Sequence, residues 1–162
     1  SPYFLLNIAK GIIRNRKCLK KEFNEIKIGK ILDRLRRNRL IILSEKGEKF
    51  KVELTDKGKR KVKEIQFKNM EIEKLDVWDK KWRIVIFDIP DKYRKRARDA
   101  LREKLKELGF YPLQKSVWVI PYPCQKEIQF LCELFDITPF VNIILAENIH
   151  DDLKLRKYFK VL

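Results

Sequence analysis

Four cations, Lys27, Lys30, Arg34 and Arg37, recur at i, i+3, i+7 and i+10, a spacing that lines them along one side of a helix. Lys46, Lys49 and Lys51 follow within a short stretch containing Gly47. Side chains of this kind bond to phosphate oxygens and release counterions, which supplies affinity for a polyanion without reading its sequence. Other reactive residue types are sparse. The three cysteines, Cys18, Cys124 and Cys132, show no CxxC spacing and suggest neither a disulfide framework nor a zinc ribbon. Cys132 stands among apolar residues at helical spacing and is expected in a core. The single histidine, His150, precedes Asp151 and Asp152 near the end of the sequence and is expected to be solvated. Triad chemistry would need a nucleophile brought to that one position.

The distribution of charge agrees with anion recognition. The 162 residues include 39 Lys or Arg and 23 Asp or Glu, a net charge of +16. Residues 1–75 carry 22 basic and 10 acidic side chains, and residues 80–115 carry 12 and 5. Residues 116–162 are close to neutral. A cationic or neutral partner is disfavoured, and nucleic acid or an anionic surface is favoured. Hydrophobic residues make up 44% of the chain, so it is not a disordered basic tail. No apolar run approaches the roughly 18 residues that span a bilayer. No exposed aromatic face accompanies the basic helices, so membrane binding is not expected. We expect a soluble, cytoplasmic chain.

The elements that must carry these residues fall into two modules, 1–75 and 76–162. In the first, Leu5, Ile8, Ala9 and Ile12 have the spacing of an amphipathic helix, and a short second helix is expected over Leu19 to Phe23. Ile28, Ile31, Leu32 and Leu35 repeat the pattern, placing a third helix over about 26–38 with the four cations opposite. Leu40–Leu43 and Phe50–Leu54 flank Glu45–Glu48 as the strands of a hairpin. Thr55 is positioned to cap a further helix, which is compatible with helix as far as about Leu75. This order is that of a winged helix-turn-helix. Leu32, Leu35, Leu40 and Ile41, the charged hairpin, and Leu54-Thr55-x-x-Gly58 resemble the recognition helix and wing of bacterial winged-helix regulators.

In the second module, Arg83–Phe87 reads as a buried central strand ending at Asp88-Ile89-Pro90. A helix over 91–108 places Ala97, Leu101, Leu105 and Leu108 inward and Arg94, Arg98, Arg102 and Lys106 outward, and Gly109 closes it. Strands over 110–113 and 116–120, a helix carrying Ile128, Leu131, Cys132 and Phe135, and a strand over 141–145 complete the module. The expected fold is therefore α+β, with a winged helix followed by a ferredoxin-like βαββαβ domain whose two helices lie on one face. The other face needs cover, and a partner subunit is a natural source. The tail from Asp151, with Leu153, Leu155, Tyr158 and Phe159, can pack on either module or swap between subunits.

Trp78 to Pro90 closely resembles the central region of the PaaX-type repressors of phenylacetate catabolism, and Leu108-Gly109-Phe110 and Gln114–Val119 extend the match. The same module is similar to CRISPR-associated protein 2, a small ferredoxin-like metal-dependent nuclease and integrase scaffold. The second resemblance makes Asp88 the candidate catalytic residue and metal ligand, shared across a dimer, with Asp91 as a weaker ligand. It also makes Arg94 and Arg96 counterparts of two helix arginines, which with Arg98 form a second basic patch. Hard oxygen ligands suit Mg²⁺ or Mn²⁺. An aspartate at this position can equally cap the next helix or pair with an arginine.

The leading expectation is a homodimeric DNA-binding transcriptional repressor, contacting double-stranded DNA through Lys27, Lys30, Arg34, Arg37, Lys46, Lys49 and Lys51. It requires no cofactor for binding. PaaX-type repressors carry a further C-terminal domain, and only a short tail follows the last strand, so a regulator lacking that effector domain is expected. The sequence names no small-molecule effector. The alternative is an Mg²⁺- or Mn²⁺-dependent endonuclease or CRISPR adaptation factor acting through Asp88.

Overall fold

A computed structural model describes residues 25–46 and 49–161; the side chains of 25–26, 46, 49–50 and 91–93 lie outside the described set. The helices expected around Leu5–Ile12 and Leu19–Phe23 also lie outside it. The chain divides into two compact units, Ser1–Gln66 and Phe67–Leu162.

In the first unit, helix α1 (Glu25–Arg37) precedes strands β1 (Ile41–Lys46) and β2 (Lys49–Leu54), which pair antiparallel from Ile41 opposite Leu54 to Lys46 opposite Lys49. Leu32 and Ile41 form the buried centre, with Ile28, Leu35 and Leu43 against them. Ile31, expected in the same stripe, is 40% exposed. The core-facing positions of β1, Ile41 and Leu43, meet the side of the helix centred on Leu32, and Ile31 falls outside that contact.

Helix α2 (Asp56–Lys68) is tied to the end of α1 through three consecutive carbonyls. Lys57 Nζ donates to Asn38 O at 3.1 Å, Thr55 Oγ1 to Arg39 O at 2.6 Å, and Thr55 N–H to Leu40 O at 3.0 Å. Thr55 Oγ1 in turn accepts the Gly58 N–H at 3.0 Å, so the expected N-cap is present and does two jobs. The helix ends at Lys68 and does not continue towards Leu75. Met70 and Ile72 instead pack partly against the apolar core of the second unit, a tertiary contact that overrides helix-compatible composition.

The second unit has the order β3 (Trp82–Phe87), α3 (Asp91–Glu107), β4 (Tyr111–Gln114), β5 (Val117–Ile120), α4 (Gln125–Phe135), β6 (Val141–Ala146) and α5 (Leu153–Phe159). Its four strands form one antiparallel sheet in the order β4-β5-β3-β6. Val85 and Phe87 of β3 and Trp118 and Ile120 of β5 pack with Leu101 and Leu105 of α3 and Ile128 and Leu131 of α4. Trp82 and Val119, of opposite strand parity, pack with Leu155 and Val161. The tail thus covers part of the second sheet face from within the same unit. Asp152 fastens it, accepting from Trp82 Nε1 at 3.1 Å and from Arg156 Nε at 2.9 Å.

Helix α3 closes as expected: Gly109 takes a φ of 83°, with Gly109 N–H bonded to Lys106 O and Phe110 N–H to Leu105 O. Arg83 is only 5% exposed and joins three segments, pairing with both oxygens of Asp79 and donating to Lys81 O and Pro121 O.

Both described cysteines are buried. Burial pushes the Cys124 thiol up to about 12 and the Cys132 thiol up to about 11, with the neighbouring Glu127 and Glu133 adding to the rise. Since the thiolate is the reactive form, both are expected to label roughly two to three orders of magnitude more slowly in native protein than in urea. Thiol titration of a Cys18→Ser variant checks this; rapid native labelling would contradict the buried placement.

No helix among the described residues is long and apolar enough to cross a membrane.

Candidate nucleic-acid interface

The amphipathic division of α1 sets which side chains the first unit presents to solvent. Because Ile28, Leu32 and Leu35 turn inward, Lys27, Lys30, Arg34 and Arg37 all lie exposed. Lys27, Lys30 and Arg34 have no ion-pair partner among the described residues. Arg37 pairs with Asp33 at 3.0 Å, as does Arg36 at 3.1 Å. Three cations at successive turns are thus left to solvent on one helix, a row whose repulsion a polyanion relieves. In the hairpin, Lys51 is exposed and pairs with Glu53 at 2.8 Å. The side chains of Lys46 and Lys49 lie outside the described set.

Sequence reading missed a second cationic element. Lys57, Lys59, Arg60, Lys61 and Lys63 of α2 are all exposed. Lys57 is held by Asn38 O, Lys59 by Asp56 and Lys61 by Glu64, which leaves Arg60 and Lys63 without an ion pair among the described residues. Its signal in the sequence is the run of five cations within Lys57–Lys63, just after the Thr55 cap.

In the second unit, Asp88 lies exposed just beyond β3, its N–H bonded to Phe140 O at 3.0 Å. It lines an open groove of about 460 Å³ with Ser116, Asn142 and the apolar side chains of Ile86, Val117 and Phe140. It has no ion-pair partner among the described residues. The helix that follows begins after Pro90 without a side-chain cap, so Asp88 does not serve as its N-cap.

The second basic patch is largely engaged within the unit. Arg94 pairs with Asp136 at 3.1 Å and lies over the Phe140 ring, while Arg98 is mostly buried beside Asp99. Arg102, expected outward, donates to Lys115 O and lies over the Phe87 ring. Arg96 remains exposed, but Asp99, Glu103 and Glu107 share the outer side of α3 with it.

Three oxygen-bearing side chains, Asp88, Ser116 and Asn142, stand in the otherwise apolar lining, and in kind they suit Mg²⁺ or Mn²⁺. In number they do not: one chain contributes the single carboxylate of Asp88, and the Asp91 side chain lies outside the described set. Among the described residues no cluster of three or more His, Cys, Asp or Glu is placed to hold a metal. No hydrolytic step is therefore derived from this groove. His150 is exposed and takes no part in either site.

One unit with helices packed on a face of a four-stranded antiparallel sheet, and one with a cationic helix and hairpin, define a mixed α+β protein of two units. The family model described as the PaaX protein central Cas2-like domain matches residues 75–157, more than half of the chain, and the chain belongs to that PaaX family. No curated protein matches the chain.

Proposed function

We propose that the chain is a PaaX-type DNA-binding transcriptional regulator, in which the first unit is a winged helix-turn-helix and the second a ferredoxin-like dimerisation domain. The observation that carries this reading is the row of exposed cations, Lys27, Lys30 and Arg34, without ion pairs among the described residues, on the helix that precedes the hairpin. Helix α1 is of a size to enter a major groove, where its cations bond phosphates and its remaining outward side chains meet base edges. The winged-helix arrangement is supported by the succession α1, hairpin, capped α2. The ferredoxin-like arrangement is supported by the βαββαβ order and by a sheet in which the first and third strands lie centrally. Family membership supports regulation as the role. Two such units related by a two-fold would address half-sites separated by whole helical turns, roughly 34–36 Å each.

Selection from random duplexes at about 150 mM salt tests the reading, because nonspecific binding is weak there. A pseudo-palindromic sequence is expected to emerge, and a pool without enrichment would sink the proposal.

A metal-dependent endonuclease is favoured by one observation, the exposed Asp88 carboxylate in an open groove with two further oxygen-bearing side chains. The regulator reading expects Asp88→Asn to bind duplex within about twofold of wild type. It also expects neither protein to cut DNA or RNA in Mg²⁺ or Mn²⁺. Cleavage by wild type that vanishes in the variant would replace it.

A further inference from the structure

The two edges of the four-stranded sheet are unlike. Strand β4 is four residues long, contains Pro112, which has no N–H to offer, and has a register irregularity between Pro112 and Gln114; Lys115 follows it. These are the devices by which an edge avoids pairing with another chain. Strand β6 has none of them. It runs for six residues, Val141–Ala146, paired along its whole length with β3 on one side and, among the described residues, with no strand on the other. Its sequence, Val-Asn-Ile-Ile-Leu-Ala, lacks proline and charge, and the uncharged stretch extends back to Ile137. Ile144 and Leu145, which point to opposite faces of the sheet, are 45% and 51% exposed.

We infer that β6 is the edge along which a second copy of this chain pairs, antiparallel and centred between Ile143 and Ile144, to make a continuous eight-stranded sheet. The charge pattern selects this occupant. In this register Val141 meets Ala146, Asn142 meets Leu145 and Ile143 meets Ile144 of the second copy, so two chains that each carry a net charge of +16 approach with no charged side chain on either strand of the seam. The ten uncharged residues 137–146 keep like charge away from it. A polyanion or an acidic peptide would find no cation on β6 to bond. The edge also explains how a dimer forms although α5 already covers part of the second sheet face. This inference rests on the dimeric reading above and names its surface.

Sedimentation equilibrium on the full chain tests it. Wild type is expected to be dimeric at about 10 µM, and Ile144→Lys and Leu145→Lys are each expected to weaken the dimer by at least about tenfold. Both side chains are half-exposed in the monomer, so the thermal midpoint at low concentration is expected to stay within a few degrees of wild type, which confirms folding. Leu113→Lys on β4 is expected to leave the dimer intact. A wild-type monomer would sink both the dimeric reading and this surface. A dimer unaffected by Ile144→Lys and Leu145→Lys, or one broken by Leu113→Lys, would sink the surface alone.

Discussion

Replacing Gly58 with alanine is expected to destabilise the first unit by about 3 kcal/mol, although alanine is the better helix former. Propensity alone predicts the opposite sign, a gain of about 1 kcal/mol inside a helix. Sterics decide the outcome. A Cβ at position 58 would stand 2.0 Å from Leu40 O and 3.0 Å from Leu40 C, both backbone atoms. That carbonyl cannot swing aside cheaply, because it accepts the Thr55 N–H, while Thr55 Oγ1 bonds both Arg39 O and the Gly58 N–H. Overpacking against side chains costs about 1–3 kcal/mol, and a contact with fixed backbone belongs at the upper end. Hydrogen exchange of the β1 and β2 amides is the suitable probe, since all three tryptophans, Trp78, Trp82 and Trp118, report on the second unit. Faster exchange with unchanged tryptophan fluorescence is expected. Protection equal to or greater than wild type would contradict the close approach.

The second large effect is expected at Arg83. Removing its guanidinium in Arg83→Met leaves the Asp79 carboxylate and the carbonyls of Lys81 and Pro121 without their donor. Asp79 keeps 36% of its side chain in water, so the cost falls below that of stranding a fully buried charge, at about 2–3 kcal/mol. Urea unfolding followed by tryptophan fluorescence reads the loss directly, because Trp82 adjoins the site. The pH dependence gives a second check. Hydrogen bonding to Arg83 holds the Asp79 carboxyl below its usual range, and the bond from the Lys81 N–H adds to this. Arg156, and then Trp82, hold Asp152 low in the same way. A depressed carboxylate contributes stability that is present above its unfolded value of about 3.9 and lost as pH falls through the folded value. Wild type is therefore expected to lose stability below about pH 4, and Arg83→Met to lose less over that interval. Equal acid slopes would show that Asp79 is not the group responsible.

Elements whose signals are local were legible in the sequence. The period of Ile28, Leu32 and Leu35, the alternation in the hairpin, the Thr55 cap and the apolar run of β3 each lie within a few residues of what they determine. Helix ends were less legible, for a stereochemical reason. Four helices close with a residue of positive φ, but only Gly109 is a glycine; Arg39, Asp136 and Lys160 adopt the same conformation with side chains that give no warning. The fates of the α3 arginines were hidden because their partners are distant in sequence. Arg94 reads as an outward cation until Asp136, 42 positions later, is brought beside it. The route of the tail was hidden likewise, since Leu155 and Val161 choose among apolar surfaces that the sequence cannot rank. At the candidate site, spacing alone revealed the cationic row on α1. It could not reveal that Asp33 engages Arg36 and Arg37, while Lys27, Lys30 and Arg34 have no ion pair among the described residues.

Those three residues carry the central claim, and the salt dependence of duplex binding tests it most directly. Each phosphate contact contributes about 0.9 to the slope of log K against log salt. The triple variant Lys27→Gln, Lys30→Gln, Arg34→Gln is therefore expected to flatten the slope by about 2.7. At about 1 kcal/mol for each charge-assisted contact, it should weaken binding by roughly 10²-fold at about 150 mM salt. Circular dichroism should be unchanged, because all three side chains are exposed. A variant that binds duplex with the wild-type slope and affinity would contradict the claim that α1 is the surface that meets DNA.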